Sequence, residues 1–339
     1  MSAAGPGPAL DRRPILITGG AGFLGQRVLA ALLQQPGLPD ADGTEQPVET
    51  FIVLDQVAGQ IADARVRYVT GDASDPALIA QVIDENVGGV FHLAAVVSGT
   101  AEADFDLGMR VNLDGTRALL DALRAQHAKT GRAPRVLFAS SVAVFGGQLP
   151  AVVTDDTAAT PQASYGVQKL MGEFLVGEYS RKGYIDGRAV RIPTVSVRPG
   201  KPNGAASSFA SGIIREPLAG EEAICPVEAE TELWLASPRQ VVASLLHAYT
   251  LPASAWGNRR SLNLPGITVR VGEMVEALRK VAGDAPVSRI RWEPDARIKA
   301  IVQSWPARFD TARADAMGSG RDTSFEAMVR DYVDSAKGA

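Results

Sequence analysis

The chain has 339 residues, of which 46% are hydrophobic and 21% charged, and its net charge is −4. This length suits one large α/β domain with a smaller lobe attached, and the composition is that of an ordinary globular core. The composition shows no excess of basic residues that would form a basic face, so we do not expect a nucleic-acid partner. The single cysteine, Cys225, excludes an intrachain disulfide and favours a reducing, cytoplasmic location.

Residues 1–13 are small, polar and rich in Gly and Pro, and they lack the apolar core of a signal peptide. We therefore expect this segment to be a disordered leader. No apolar stretch approaches the roughly 20 residues that a membrane-spanning helix requires, so no membrane partner is expected.

The first half of the chain alternates between strand and helix patterns. Residues 14–18 are apolar and β-branched, which predicts a buried strand. In chain order, there follow a helix over 23–35, a surface loop over 36–50, strands over 51–55, 66–69 and 90–93, a helix over 105–128, a strand over 135–139, a helix over 164–182 and an extended segment over 188–197. This alternation predicts an α/β Rossmann fold, a doubly wound parallel sheet with both faces covered.

The pattern loosens after residue 198. Residues 199–204 and 205–212 are rich in Gly, Ser, Ala and Pro and are predicted to be loops. The later predicted elements are a helix near 240–249, a strand near 261–264, a helix near 271–281 and a final helix over 325–336. We expect a smaller C-terminal lobe laid over the sheet.

A glycine-rich turn follows the first predicted strand. Gly20, Gly22 and Gly25 fit G-x-G-x-x-G, while Gly19, Gly22 and Gly25 fit G-x-x-G-x-x-G. Such glycines permit a tight turn, room for a pyrophosphate and close packing of helix on strand. The motif alone is weak, but here it opens the first strand–helix unit, so that the amides of the following helix face the phosphates. The turn therefore predicts a dinucleotide site.

Asp55 ends the second strand of the predicted sheet. Its carboxylate there is placed to accept hydrogen bonds from the adenosine ribose and to repel a 2′-phosphate, which favours NAD over NADP. It lies 30 residues after Gly25, more than the usual spacing of about 20, because of the loop over 36–50. The alternative interpretation is an aspartate that caps a turn.

Tyr165 and Lys169 lie four residues apart near the start of the predicted helix 164–182, so they share one face of it. The spacing suits an acid/base pair, because an ammonium and a positive nicotinamide ring together would lower the phenol pKa from about 10 toward about 7. Ser140 and Ser141 follow a strand, at the edge where doubly wound folds bind ligands. Taken alone, the Tyr–Lys pair also fits a surface helix, and the serines fit a cap.

The order and spacing of these motifs match one family. The chain resembles the extended short-chain dehydrogenase/reductase family over nearly its whole length, from residue 14 to 336. The matching residues are the glycine turn of residues 18–25, Gly71, Asp72, His92, Leu93, Ala94, Ala95, Asn112, Gly115, Thr116, Ser140, Ser141, Tyr165, Lys169 and Pro193.

The resemblance implies an NAD-dependent dehydrogenase acting on a CH–OH group. It implies Tyr165 as the catalytic acid/base, Lys169 as the residue that lowers its pKa and holds the nicotinamide ribose, and Ser141 as the partner of the substrate oxygen. Residues 14–197 would form the NAD-binding domain, and residues 198–339 mainly a substrate-binding lobe with elements returning to the core. The NAD-binding residues would be Gly19, Gly22, Phe23, Leu24, Gly25, Asp55, Asp72, Ala73, Leu93, Ala94, Ala95, Asn112, Tyr165, Lys169 and Pro193.

The segment 191–217 is more specific than the family pattern. It is similar to a branch of the family that oxidises a small hydroxy acid to its 2-oxo acid with NAD, which predicts a four-carbon sugar acid as substrate. A carboxylate requires a fixed cation or amide donors. Arg198 and Lys201 flank the expected site, although either also fits a solvated loop charge. The candidate substrate residues are Ser98, Ser141, Tyr165, Arg198 and Lys201.

Two alternative functions remain open. A nucleotide-sugar epimerase or dehydratase needs a basic pocket for a diphosphate, and the C-terminal part offers no clear basic set. In addition, Phe145 stands where many sugar-nucleotide enzymes of the family have tyrosine. A non-catalytic NAD-binding sensor is disfavoured, because Tyr165 and Lys169 are both present.

The resemblance also implies a homodimer formed through helices 105–128 and 164–182. We predict that His92 is a packed strand residue rather than a ligand. No His, Cys and Asp cluster has the spacing of metal ligands, so no metal site is proposed.

Overall fold

The computed structural model describes residues 13–39, 43–83, 87–200 and 206–337. The strands are β1 (Ile15–Thr18), β2 (Leu38–Pro39), β3 (Glu45–Gln46), β4 (Phe51–Asp55), β5 (Val66–Thr70), β6 (Gly89–His92), β7 (Arg135–Ser141), β8 (Asp186–Ile192), β9 (Thr194–Val195), β10 (Ala223–Cys225), β11 (Glu232–Ala236), β12 (Ser261–Asn263), β13 (Ile267–Arg270) and β14 (Ile290–Trp292).

The α-helices are α1 (Phe23–Leu33), α2 (Pro76–Val82), α3 (Ser98–Ala103), α4 (Phe105–Gly108), α5 (Gly115–Thr130), α6 (Ser164–Arg181), α7 (Phe209–Leu218), α8 (Pro238–Thr250), α9 (Ala253–Trp256), α10 (Val271–Ala282), α11 (Asp284–Val287), α12 (Ala296–Gln303), α13 (Ala312–Ala316) and α14 (Phe325–Lys337). A π-helical segment, Met109–Asp114, joins α4 to α5, and 3₁₀ turns lie at Val142–Val144 and Ala206–Ser208. Within the described ranges, no helix combines the length and the apolar character needed to cross a bilayer.

Seven strands form one parallel sheet in the order β12-β8-β7-β6-β1-β4-β5. The first strand, β1, pairs with β4 on one side and β6 on the other, so Thr18 lies beside both Leu54 and His92. The order in which the chain adds strands reverses at β1. The loops that follow β1 and β6 therefore leave the sheet in opposite directions, and a crevice lies between them. The predicted doubly wound parallel sheet is confirmed.

Both faces of the sheet are covered by helices. On one face α1 and α8 pack with residues such as Val28 and Leu245. On the other face α2, α5 and α6 pack with residues such as Leu119 and Val176. All of β1 is buried, which explains why its sequence is continuously apolar rather than alternating.

The C-terminal part forms a second core. Here β11 pairs antiparallel with β13 and parallel with β9, and β10 pairs with β14. The apolar cluster of this lobe includes Phe209, Ile213, Met274, Leu278 and Met328. In contrast, β12 and α8 belong to the large sheet and its cover, so the chain passes between the two cores more than once.

Two predicted loops differ from the structure. The loop over 36–50 contains the short antiparallel pair β2 and β3. The described part of the loop over 205–212 is instead a 3₁₀ turn and the start of α7, so that prediction is wrong. The reason is that Phe209, Ala210, Ile213 and Ile214 are buried at helical spacing, and this burial outweighs the small, polar residues between them. Lys201 and residues 1–12 of the predicted leader lie outside the described residues.

His92, the last residue of β6, is buried in the sheet. Its Nδ1 lies 2.6 Å from Thr18 Oγ1, and its Nε2 lies 2.9 Å from Thr116 Oγ1. Burial lowers the pKa of the imidazole to about 3, so the ring is neutral at physiological pH. The prediction of a packed strand residue is confirmed.

Candidate active site

A cleft of about 980 Å³ opens at the carboxyl edge of the parallel sheet. Its walls come from the turn after β1, the ends of β4, β6 and β7, the first turns of α6 and, from the second lobe, α12. The predicted site residues that line it are Gly19, Gly22, Phe23, Leu24, Gly25, Asp55, Asp72, Ala73, Leu93, Ala94, Ala95, Ser98, Ser141, Tyr165, Lys169, Pro193 and Arg198.

Steric contacts decide which glycine spacing applies in the turn between β1 and α1. Gly19 has φ +69°, and a Cβ on it would lie 2.7 Å from the backbone nitrogen of Ala94. A Cβ on Gly25 would lie 2.2 Å from the carbonyl oxygen of Gly19. Gly20 packs against β4 and does not line the cleft. The glycines that face the cleft are therefore Gly19, Gly22 and Gly25.

The N-terminus of α1 is suited to an anion. Gly22 precedes the first turn and supplies no side-chain cap, so the first-turn amides have no side-chain acceptor there. No acidic residue lies in that turn. An uncapped helix end above glycines that tolerate no Cβ fits the pyrophosphate of a dinucleotide.

Two carboxylates of the cleft wall are held by hydrogen bonds. Asp55 accepts hydrogen bonds from the backbone nitrogens of Ala21 (2.9 Å) and Gln56 (2.7 Å), which ties the end of β4 to the glycine turn. Asp72 accepts from the Ser74 backbone at 2.8 Å and from its hydroxyl at 2.7 Å, and it pairs with Arg110. The hydrogen bond from the Ser74 side chain is the main cause that keeps the pKa of Asp72 below its usual value.

Ser141, Tyr165 and Lys169 converge in the cleft. Ser141 is the last residue of β7, and its Oγ accepts a hydrogen bond from the Ala143 nitrogen at 3.1 Å. Tyr165 and Lys169 lie in the first two turns of α6, with the lysine Nζ 5.7 Å from the tyrosine ring centroid. The strand end and the helix start thus bring together three residues that lie up to 28 positions apart.

Burial changes the proton affinity of both residues on α6. It raises the pKa of Tyr165 to about 12, although the facing Ser141 hydroxyl partly offsets this. It lowers the pKa of Lys169 to about 8, opposed by the charge of Glu173. Nζ of Lys169 lies 4.8 Å from the Phe138 ring centroid, and no described residue accepts a hydrogen bond from it. The ammonium donors therefore remain available to a ligand in the cleft.

A buried ion pair that the sequence reasoning missed supports this arrangement. Glu173, one turn after Lys169 on α6, accepts hydrogen bonds from Arg191 Nε (2.9 Å) and Nη2 (2.7 Å) and from the Ser140 hydroxyl (2.5 Å). The three side chains are buried and join α6 to β7 and β8. The available signal in the sequence is the position of Glu173, on the same helix face as Tyr165.

Comparison with known proteins decides the family. Residues 15–234 match the NAD dependent epimerase/dehydratase family. The chain belongs to this family. Together with the dehydrogenases described next, this membership makes the chain an NAD-dependent oxidoreductase that acts on a CH–OH group. The predictions of the family, of the enzyme class and of NAD are confirmed.

Several relatives match this family member over nearly its full length. It is 58% identical over 323 residues to a D-erythronate dehydrogenase from Cupriavidus necator, a match that covers 95% of this chain and 98% of the relative. A D-erythronate dehydrogenase from Haemophilus influenzae is 44% identical, with 94% and 98% covered. A solved structure of a nucleoside-diphosphate-sugar epimerase from Agrobacterium tumefaciens is 40% identical with a TM-score of 0.91, and the match covers 100% of this chain and 98% of that one.

Asn112 of this epimerase/dehydratase family member lies behind the cleft wall rather than on it. It is buried in the π-helical segment, where Oδ1 accepts from the Val96 nitrogen at 2.9 Å and Nδ2 donates to the Val96 carbonyl at 3.2 Å. Nδ2 also donates to Gln168 Oε1 at 2.8 Å. The side chain thereby fixes the segment after β6 that lines the cleft.

The second lobe contributes a helix that the sequence reasoning did not predict. Along α12 and just beyond it, the residues that line the cleft are Arg297, Ala300, Ile301, Ser304 and Trp305. Arg198, from the segment after β9, also lines the cleft, and burial together with the charge of Arg215 lowers its pKa. Two arginines, on separate elements of the second lobe, therefore line the cleft.

Proposed function

We propose that the chain oxidises the C2 hydroxyl of a four-carbon sugar acid with NAD, converting D-erythronate to 2-dehydro-D-erythronate. The observation that carries this proposal is the 58% identity to a D-erythronate dehydrogenase across 95% of the chain. The convergence of Ser141, Tyr165 and Lys169 in the cleft supports it, because this set is able to remove a proton from a hydroxyl.

In the proposed mechanism, NAD supplies the hydride acceptor when bound. Ser141 orients the substrate hydroxyl, and the Tyr165 phenolate takes its proton as the hydride leaves C2. Because burial holds the pKa of Tyr165 at about 12, the phenolate forms only with nearby positive charge. Lys169 supplies one such charge, and its free donors would hold the nicotinamide ribose.

The proposal assigns the two halves of the chain different tasks. Residues 14–197 would hold NAD, with the pyrophosphate at Gly19, Gly22 and Gly25 and the adenosine ribose at Asp55. Residues 198–339 would supply the substrate side, apart from the elements that return to the large sheet. The negative charge of Asp55 supports NAD over NADP at this site.

The test is NADH formation by the purified enzyme across a panel of sugar acids, with NAD and NADP side by side. We expect turnover of D-erythronate with NAD. Tyr165→Phe should lower kcat by at least about 100-fold, since it removes the proton acceptor. Tyr179→Phe is the matched control, because Tyr179 lies on the same helix and its hydroxyl donates to Asp121 at 2.7 Å, outside the cleft.

A nucleotide-sugar epimerase is the second candidate, favoured by the name of the Agrobacterium structure. The guanidinium groups of Arg198 and Arg297 also suit a diphosphate, so UDP-glucose belongs in the panel. Turnover of UDP-glucose without any oxidation of sugar acids would contradict the proposed substrate class. Full activity of Tyr165→Phe on D-erythronate would contradict the mechanism.

We further propose that the enzyme is a cytoplasmic homodimer that associates through α4, α5 and α6. Phe105 and Phe174 are 60% and 69% exposed on this side of the molecule. Between α4 and α6 lies a depression whose apolar lining includes Phe105, Met109, Val167 and Met171. Exposed aromatic side chains beside an apolar depression are typical of a surface that is covered in the assembly.

A further inference from the structure

The face that α12 turns toward the cleft has a regular spacing. Arg297 is followed at three, four, seven and eight positions by the other lining residues, which are Ala300, Ile301, Ser304 and Trp305. These positions fall on one side of a helix. The inward face of α12 and its extension is therefore apolar, apart from a serine hydroxyl and one arginine at its N-terminal end.

The two cations of α12 differ in their surroundings. Lys299 does not line the cleft, and its ammonium forms an ion pair with Glu228. Arg297 lines the cleft, and within the described ranges its guanidinium donates no hydrogen bond and forms no ion pair. Of these two cations, the one without a partner among the described residues is the one that lines the cleft, and its side chain is exposed.

No acidic side chain of the cleft is placed to neutralise Arg297 within the described part of the chain. Asp55 accepts a hydrogen bond from the Ala21 nitrogen, and Asp72 forms an ion pair with Arg110. Glu102 accepts a hydrogen bond from the Ser164 nitrogen at 2.8 Å. Arg198, on another element of the wall, adds a second guanidinium without a side-chain partner among these residues. The part of the cleft wall that the second lobe supplies is therefore complementary to an anion.

We propose that Arg297 binds the carboxylate of the sugar acid and makes α12 the element that selects acids over uncharged polyols. A guanidinium donates two parallel hydrogen bonds to a carboxylate, which an amine cannot do. With Arg198 on a separate element of the second lobe, that lobe supplies both cations for the substrate carboxylate. This assignment rests on the proposed function and names its specificity residue.

The test compares Arg297→Gln and Arg297→Lys with the wild-type enzyme. Loss of a charge-assisted hydrogen bond to the substrate should lower kcat/KM for D-erythronate by about 10- to 100-fold, mainly through KM. The fall in kcat/KM for D-erythronate should be smaller for Arg297→Lys than for Arg297→Gln. KM for NAD should not change in either variant. The matched control is Lys299→Gln, which removes a cation from the same helix outside the cleft and should leave both KM values unchanged.

An uncharged substrate separates recognition of charge from a structural effect. In D-erythronamide an amide replaces the carboxylate. For this substrate, replacing Arg297 should lower kcat/KM of the enzyme by less than about threefold. Equal losses for the acid and the amide, a raised KM for NAD or an unchanged KM for the acid would each overturn the assignment to Arg297 while leaving the proposed function standing. A wild-type enzyme that oxidises no sugar acid would overturn both.

Discussion

At the scale of single residues, the burial of Lys169 sets the stability of the fold against the catalytic role that we propose for this residue. Its ammonium is buried beside aromatic rings, and burial lowers its pKa from 10.5 to about 8. Between these two values the unfolded chain binds more protons at this position than the folded protein does, so the stability contributed by this group rises with pH in that window. At neutral pH the charged side chain therefore destabilises the folded state without ligand.

Lys169→Met should consequently stabilise the protein while it impairs catalysis. We expect the free energy of unfolding to rise by about 1–3 kcal/mol at pH 7, with a smaller gain as the pH rises from about 8 to 10.5. Activity should fall by at least about 100-fold, because in the proposed mechanism the Lys169 charge favours the Tyr165 phenolate. Urea unfolding at pH 7 and pH 9.5 and initial rates at pH 7 measure these effects.

The control for this experiment is Lys182→Met, which removes an exposed ammonium next to the C-terminal end of α6. It should change the free energy of unfolding by less than about 0.5 kcal/mol. A Lys169→Met protein that is less stable than the wild type at pH 7 would contradict the claim that the buried charge destabilises the folded state.

The proposed site residues that could be predicted from the sequence are those with local spacing. Tyr165 and Lys169 were predictable because they lie four positions apart on one helix. Arg191 was not recognised as part of the site, because its contact with Glu173 joins residues 18 positions apart. Arg297 was also missed, because it reaches the cleft only when the second lobe packs over the sheet.

At the scale of elements, the π-helical segment Met109–Asp114 explains why the predicted helix 105–128 is interrupted. The apolar periodicity of a helix does not show where one turn takes an extra residue, so the prediction of one continuous helix is wrong at this point. The segment places the amide of Asn112 where it binds both backbone groups of Val96.

Asn112→Ala should loosen the cleft wall. The nitrogen and carbonyl of Val96 would both lose their partner, and we expect the free energy of unfolding to fall by about 2 kcal/mol. KM for NAD should rise severalfold, because Ala94 and Ala95, which precede Val96 on the cleft wall, are predicted to bind NAD. Asn258→Ala, in an exposed loop, is the control. Unchanged unfolding and an unchanged KM would contradict a role for Asn112 in holding the wall.

At the scale of the whole molecule, the alternation of strand and helix patterns predicted the large sheet but not the short strands of the second lobe. The strands of the large sheet are buried runs separated by helices, and this pattern is visible in the sequence. In contrast, β10 and β14 have three residues each and pair across more than 60 positions. Such a short strand is defined by its partner rather than by its own composition.

The proposed dimer gives a prediction at this scale. Phe174→Glu places a charge on the exposed side of α6, where association would bury it, so the dimer should weaken by about 100-fold or more. Sedimentation velocity over a concentration series measures the change. Trp292→Glu, at a 43% exposed aromatic residue of the second lobe, should leave association unchanged. A wild-type protein that sediments as a monomer throughout would contradict the dimer.

The contact between Gly25 and Gly19 also limits which mutations the Gly25 codon tolerates. A Cβ on Gly25 would meet backbone atoms at 2.2 and 2.5 Å, and backbone atoms cannot move aside as a side chain does. No compensating substitution elsewhere is therefore able to make room. In the gene, a change in either of the first two bases of this codon replaces glycine, so only the third base is free to drift.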